Sequence, residues 1–397
     1  MQTLRIDLQT RVTAKLSDEL RKKLYYVSPE IVGFELIQDG SEISGVDLTL
    51  SEPVEAQQLG SKINSLIETE LRTQRAMEPR VIWRSPHSLD RYHPDMFQQL
   101  LDDDMVFEAG SGLVSLASPL IKLMDYLDER IREFTKREFG AEEYRYPTLI
   151  QTKTLDKVGY FASFPQLIMF VTYLHNDMDV YRAFVEDYNE TCSLTSSVFG
   201  SCRSHEHCLP PTMCYHTYNQ LQGTTLGAHR VITARGKSFR FESRYSRGLE
   251  RLWDFTIREI VFLGDRSFAL AQRQAFMERT QTFVEELGLC GHYEVANDPF
   301  FVGQDTTAMI FSQQMKELKY ELRLDIDSDT TIAAASFNFH EEFFGKSFDI
   351  DNADGSTIVT GCVGFGLERL TYAFCCQHGH KPSGWPEAVR RAIEEMP

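Results

Sequence analysis

The chain has 397 residues, enough for two or three domains, and 42% of them are apolar, enough to fill real cores. A formal net charge of −17 argues against the broad basic face that general nucleic-acid binding needs, and no apolar run of ~18 residues exists to span a membrane. The opening Met1-Gln2-Thr3-Leu4-Arg5 lacks the apolar heart of a secretory signal. Eight cysteines are too sparse for a disulfide scaffold, so a cytoplasmic protein with reduced thiols is expected.

Residues 2–8 alternate as a short strand, and 14–26 read as a helix. Residues 31–38 and 43–50 read as strands joined by the turn Gln38-Asp39-Gly40-Ser41. Ser51-Glu52-Pro53 opens an amphipathic helix over 53–76, and 80–84 forms a last strand. Together these predict a small α+β unit over residues 1–85, of unknown role, followed by the linker Arg84-Ser85-Pro86-His87-Ser88. A second domain is expected over 96–397. Its first long helix, 117–139, starts at Ser118 and Pro119. It carries Leu120, Leu123, Met124, Leu127, Ile131 and Phe134 on one face and ends near Gly140. Tyr146-Pro147-Thr148-Leu149-Ile150 reads as an edge strand. Helices are expected at 165–188 and 265–287, and strands at 214–222, 229–242, 253–264, 319–326, 330–338 and 356–363. The fold class is α+β, a large antiparallel sheet flanked by helices.

Two segments in this pattern carry chemistry. One is Phe239-Arg240-Phe241-Glu242, a polar loop, then Arg251-Leu252-Trp253-Asp254-Phe255-Thr256-Ile257-Arg258-Glu259. The other is Gly361-Cys362-Val363-Gly364-Phe365-Gly366-Leu367-Glu368-Arg369-Leu370. Each sets arginine among apolar residues, which is costly unless an anion answers it. A guanidinium binds phosphate bidentately and stacks on a purine, so the pair of segments points to a nucleoside triphosphate site.

The first segment resembles motif 2 of class II aminoacyl-tRNA synthetases, and the second resembles their motif 3. The long helix with the Pro147 strand resembles motif 1, the dimer element. Within that superfamily, Cys214, Glu259 and Cys362 are similar to the zinc ligands of archaeal-type seryl-tRNA synthetases and of their shortened relatives, the amino acid:[carrier protein] ligases. The segment Ser336-Phe337-Asn338-Phe339-His340-Glu341-Glu342-Phe343-Phe344-Gly345-Lys346-Ser347-Phe348 looks more like the ligases. The resemblance covers about residues 96–380.

The resemblance implies an enzyme that activates a small amino acid (glycine, alanine or serine-like) as its adenylate and passes it to the phosphopantetheine thiol of a carrier protein. It implies one Zn2+ per chain and ATP with Mg2+. Arg240 would bridge the α-phosphate and the substrate carboxylate, and Glu242 would accept from the adenine amino group. Phe255 and Arg369 would stack on the two adenine faces, Arg251 would reach phosphate or ribose, and Asn338 and His340 would line the pocket. A homodimer is implied. Charging of tRNA is the alternative, which the acidic balance and the short N-terminal unit count against. Transfer to a small-molecule acceptor is a third. Buried core cysteines with a salt-bridged glutamate are the plain reading of the metal trio. A second cluster, Cys202, His205, His207 and Cys208, lacks Cys-x-x-Cys spacing and reads as a polar loop. A carrier is acidic, so a basic patch is expected at Arg130, Arg132, Lys136 and Arg137 or at Arg390 and Arg391, with 165–188 as the docking helix.

Overall fold

The computed structural model describes residues 2–71, 80–89, 92–242, 248–296 and 316–396. An antiparallel three-stranded sheet leads the chain, built from β1 (Gln2–Thr13), β2 (Ile31–Asp39) and β3 (Glu42–Leu50) in the order β1-β3-β2. Helices α1 (Ser17–Leu24) and α2 (Ala56–Leu66) cover one face. Alternation places Ile6, Leu8, Val46 and Leu48 under them, where they meet Leu20, Leu24, Leu59 and Ile63 in a core of their own. The expected helix 53–76 starts at Ala56 and passes into a π-helical turn, Ile67–Leu71. Its last residues, from 72, lie outside the described residues.

The larger sheet has eight strands. In chain order they are β4 (Val81–Arg84), β5 (Glu142–Tyr144), β6 (Arg230–Phe239), β7 (Asp254–Gly264), β8 (Gly291–Val295), β9 (Lys319–Asp325), β10 (Thr331–Glu341) and β11 (Val359–Gly366). Their spatial order is β4-β8-β9-β10-β11-β7-β6-β5. All neighbours run antiparallel except β5 with β6. One correction concerns β4. It was expected to close the N-terminal unit, but it pairs with β8 at the edge of the large sheet. The central strand β7 is buried along almost its whole length, which explains its run Ile257 to Leu263.

On one face, α3 (Leu120–Phe139), α6 (Arg266–Glu286) and α7 (Leu367–His378) pack against Ile260, Phe262, Phe337, Val363 and Phe365. Close approach there demands Gly361: a Cβ at this position would lie 2.1 Å from Phe262 Cε2 and 2.6 Å from the Asn338 carbonyl oxygen. The other face holds a smaller core of Ile232, Val261, Leu263 and Cys362 beneath α5 (Cys214–Gln220) and the aromatic pair Tyr218 and Phe344, which stack at 4.1 Å.

Four sequence expectations between these elements are corrected. The expected strand 214–222 is instead helix α5, Cys214–Gln220, and a turn. Cys214, Tyr215, His216, Thr217 and Tyr218 are all buried, and packing on every side overrides their strand propensity. The stretch 165–188 divides into a turn at Pro165–Leu167, a strand at Phe170–Leu174 and α4 (Met178–Thr191). Asp177 sets the start of α4 by accepting from the Asp179 and Val180 amides. Cys202–Cys208 is a strand between Ile150–Gln151 and Phe170–Leu174, not a loop. Within the expected strand 146–150, only Ile150 is in a strand. Among the described residues no helix is long and apolar enough to cross a membrane.

Candidate active site

The smaller-core face of the large sheet carries the site. Strand β7 pairs with β11 so that Val261 faces Cys362 and Glu259 faces Gly364. Glu259 and Cys362 are therefore diagonal neighbours with side chains on one face. The first residue of α5, Cys214, is laid over them. The ligand atoms of Cys214, Glu259 and Cys362 all lie within 4.8 Å of one another, and all three residues are buried. Among the described residues they are the one group of three or more with metal-ligand geometry. The cluster Cys202, His205, His207 and Cys208 does not gather. Cys208 is buried with its thiol against the Ile150 carbonyl, and burial pushes that thiol up to about 11.

The electrostatics of the trio fit a cation. Burial, the largest influence, raises the Glu259 carboxyl. The Cys214 contact, then burial, then Glu259 raise the Cys362 thiol well above its usual range. For Cys214 the Cys362 contact pulls down, but burial and Glu259 outweigh it and the thiol rises. Three buried groups that each become anions crowd one another, and a divalent ion relieves all three at once. Two thiolates and a carboxylate are a donor set that suits zinc and leaves a fourth position.

Polar neighbours hold the ligands in place. Thr212 donates to Glu259 Oε2 at 2.5 Å. Asn338 Nδ2 lies 3.4 Å from Cys362 Sγ, and His340 Nε2 lies 3.7 Å from it. His340 Nδ1 meets Tyr218 Oη and Thr360 Oγ1, each at 3.3 Å. Asn338 pairs directly with Cys362 in the sheet register, so β10 brings the expected pocket residues to the trio's edge. Tyr218 and Thr360 were missed by sequence reasoning. Tyr218 lay in the stretch misread as a strand, and Thr360 carries no signal beyond β-propensity.

The arginines gather near the end of β6 and the starts of β7 and α7. Arg240 leaves β6 with its guanidinium 5.5 Å over the Phe255 ring and its Nε donating to the Pro211 carbonyl at 3.1 Å. Arg251 Nη1 donates to Glu242 Oε2 at 2.8 Å. Arg369, in the first turn of α7, donates to the carbonyls of Glu250 at 2.7 Å and Ala333 at 3.2 Å. Burial, then Arg251, with a smaller push from Arg240, lowers Arg369 to about 10. Arg251 and Arg240 thus both act on Arg369, and the acids Glu242 and Glu321 oppose them. Arg240 also pulls down both Glu259 and Cys214, so its charge is felt at the trio. The preceding Glu368 is a strut. It accepts from the Thr256 amide at 2.8 Å and from the Thr256 hydroxyl at 2.8 Å, fixing α7 to β7. Residues 243–247 of the polar loop lie outside the described residues.

The expected basic patches are each matched by acids. Arg130 pairs with Glu286, Arg132 and Lys136 with Glu143, and Arg137 with Glu138. Arg391 pairs with Glu387, and Arg390 lies 4.0 Å from Glu394.

No protein-family model matches the chain. An amino acid–[acyl-carrier-protein] ligase of Bradyrhizobium diazoefficiens is 33% identical over 269 residues, spanning 66% of this chain and 79% of that protein. A type-2 serine–tRNA ligase of Methanopyrus kandleri is 26% identical over 303 residues, 72% of this chain and 57% of that protein. Among solved structures, M. kandleri SerRS in complex with A. aeolicus tRNASec superposes with a TM-score of 0.73 at 22% identity, covering 99% of this chain and 77% of that one.

Proposed function

The chain belongs to the amino acid–[acyl-carrier-protein] ligase family and is an enzyme of the ligase class, and from that premise we propose that it activates a small amino acid with ATP and transfers it to the phosphopantetheine thiol of a carrier protein. The observation that supports this reading is the buried Cys214–Glu259–Cys362 trio, whose ligand atoms lie within 4.8 Å of one another.

Zinc bound to the trio supplies a Lewis-acidic position for the neutral amino group of the substrate. The chain's own residues do the rest. Arg240 neutralises the substrate carboxylate and the α-phosphate of ATP·Mg2+, bringing two anions into contact. Glu242 accepts from the adenine amino group. Phe255 stacks on one purine face and Arg369 on the other. Arg251 gives up Glu242 when the base arrives and turns to the phosphates. The carboxylate oxygen attacks the α-phosphorus, pyrophosphate leaves, and the aminoacyl-adenylate forms. A thiolate then attacks its carbonyl carbon and AMP leaves. Asn338 and His340, with Tyr218 behind, crowd the amino-acid side and favour glycine, alanine or serine-like substrates.

For carrier docking the candidate is α4, which has no buried residue and shows Met178, Tyr181, Val185 and Tyr188 at spacings of three and four. A second reading is tRNA as acceptor. The fold likeness to SerRS covers 99% of the chain, so it runs through the N-terminal unit as well.

ATP–pyrophosphate exchange over a panel of amino acids tests activation. Exchange with a small amino acid is expected, with Arg240→Ala and Arg369→Ala each losing 10²-fold or more, on the order of 3 kcal/mol. Near-wild-type exchange in both variants refutes the site. Offering radiolabelled amino acid, holo-carriers and total tRNA in one assay then tests the acceptor. Label on tRNA with none on any carrier overturns the thiol in favour of the second reading.

A further inference from the structure

The N-terminal unit touches the nucleotide-binding segment at a specific point. Tyr26 lies in the turn that closes α1, where its amide donates to the Lys23 carbonyl at 3.0 Å. The preceding Tyr25 packs against Phe34 of β2 with ring centroids 4.8 Å apart, which ties the turn to the small sheet. From this fixed base the Tyr26 hydroxyl donates to the Phe241 carbonyl, 3.3 Å away and 215 residues later in sequence. Phe241 is the residue before Glu242. Its amide donates to the Leu167 carbonyl at 3.0 Å, and its ring packs on Trp253 at 4.7 Å. The tyrosine therefore supplies the anchor on the carbonyl side, at the last peptide before the Glu242 side chain. Burial first, then the Glu242 carboxylate, holds the Tyr26 phenol well above its ordinary range, with Arg251 opposing. The phenol thus lies in the field of the Arg251–Glu242 pair.

We propose that the N-terminal unit is part of the nucleotide site, with Tyr26 a positioning residue that fixes the Phe241–Glu242 peptide and so aims the Glu242 carboxylate at the adenine amino group. This rests on the reading of Glu242 as the adenine acceptor. It gives the unit a role in the adenylation step, whatever its contacts with an acceptor.

The test is calorimetric binding of MgATP and MgGTP to the full chain, which needs no knowledge of the amino acid. Tyr26→Phe removes one hydroxyl and keeps the ring. Loss of one hydrogen bond is expected to raise the Kd for MgATP about fivefold. The Kd for MgGTP, which presents an oxygen where adenine has its amino group, stays unchanged, as does the ligand-free thermal midpoint. The double variant Tyr26→Phe/Glu242→Ala binds MgATP no more weakly than Glu242→Ala alone, because the tyrosine acts through the carboxylate. If Glu242→Ala, which leaves no acceptor, weakens MgATP binding while Tyr26→Phe leaves it untouched, the proposal fails and the adenine reading stands. If Tyr26→Phe lowers the thermal midpoint and weakens both nucleotides alike, the tyrosine is only structural and the proposal also fails. If Glu242→Ala binds MgATP like wild type, the adenine reading falls and takes the proposal with it.

Discussion

Glu259 is the residue on which the metal assignment turns. It lies in the central strand at 4% exposure, bonded to Thr212 and flanked by two buried thiols, and no cationic side chain forms an ion pair with it among the described residues. A glutamate in that setting needs either a proton or a metal. Purified protein is expected to hold about one zinc per chain by plasma emission spectroscopy. Cys214→Ser and Cys362→Ser should each strip the ion to near zero and abolish amino-acid activation, since two ligands cannot hold a structurally ordered tetrahedral site. Full zinc content in both variants would remove the trio from consideration. Dipicolinate treatment of the wild type should abolish pyrophosphate exchange, and added zinc should restore it.

The most buried of the ion pairs that join helix α3 to the sheet is Arg258 with Asp128. Arg258 in β7 is 2% exposed, and its fork holds Asp128 of α3 through Nε–Oδ1 at 2.7 Å and Nη2–Oδ2 at 2.8 Å. Glu143 of β5 adds a third bond at 3.1 Å. Burial lowers the Arg258 guanidinium, but Asp128 outweighs it and the net shift is upward. Asp128→Asn leaves a buried cation short of its counter-ion and should cost about 3–5 kcal/mol in urea unfolding. The pair Arg258→Met/Asp128→Leu should recover much of that loss. A cost for Asp128→Asn below about 1 kcal/mol would show that Glu143 alone suffices. This pair also shows how much the sequence can and cannot tell. Arg258 sat in an apolar run, so a buried partner was demanded, yet nothing in the pattern named Asp128. The arginine and glycine positions of β6, β7, β11 and α7 were legible because buried charge and close approach restrict residue choice. Helix α5 was not, because Cys, Tyr and Thr favour strands and only the surrounding pack makes them helical. The strand Cys202–Cys208 was hidden by its polar residues, since sheet partners distant in sequence, such as Leu174 and Phe170, decide its state. Tyr26 was equally illegible, as its partner lies in another unit of the chain.

At the scale of the whole molecule, the apolar stripe on the helix that resembles the dimer element packs inside the chain itself. Leu120, Leu123, Leu127, Ile131 and Phe134 are at most 1% exposed and belong to the large core. A second apolar set is left outside: Phe107 at 67%, Leu149 at 44%, Ile121 at 39% and Leu113 at 38% exposed. Phe107 and Leu113 lie on the hairpin Val106–Gly110/Leu113–Leu116, and Ile121 lies at the start of α3. Large apolar side chains exposed at neighbouring elements are more than a monomer needs, and a second copy of the chain is the partner a class II-like fold offers. We therefore expect a homodimer seamed by this hairpin and the outer face of α3. Multi-angle light scattering at micromolar concentration should give twice the 45.7 kDa chain mass. Phe107→Glu places a charge in the proposed seam and should shift the mass toward that of one chain without changing the far-ultraviolet circular dichroism. A wild-type mass of one chain would eliminate the dimer. A dimer that withstands Phe107→Glu and Ile121→Glu together would place the seam on another face.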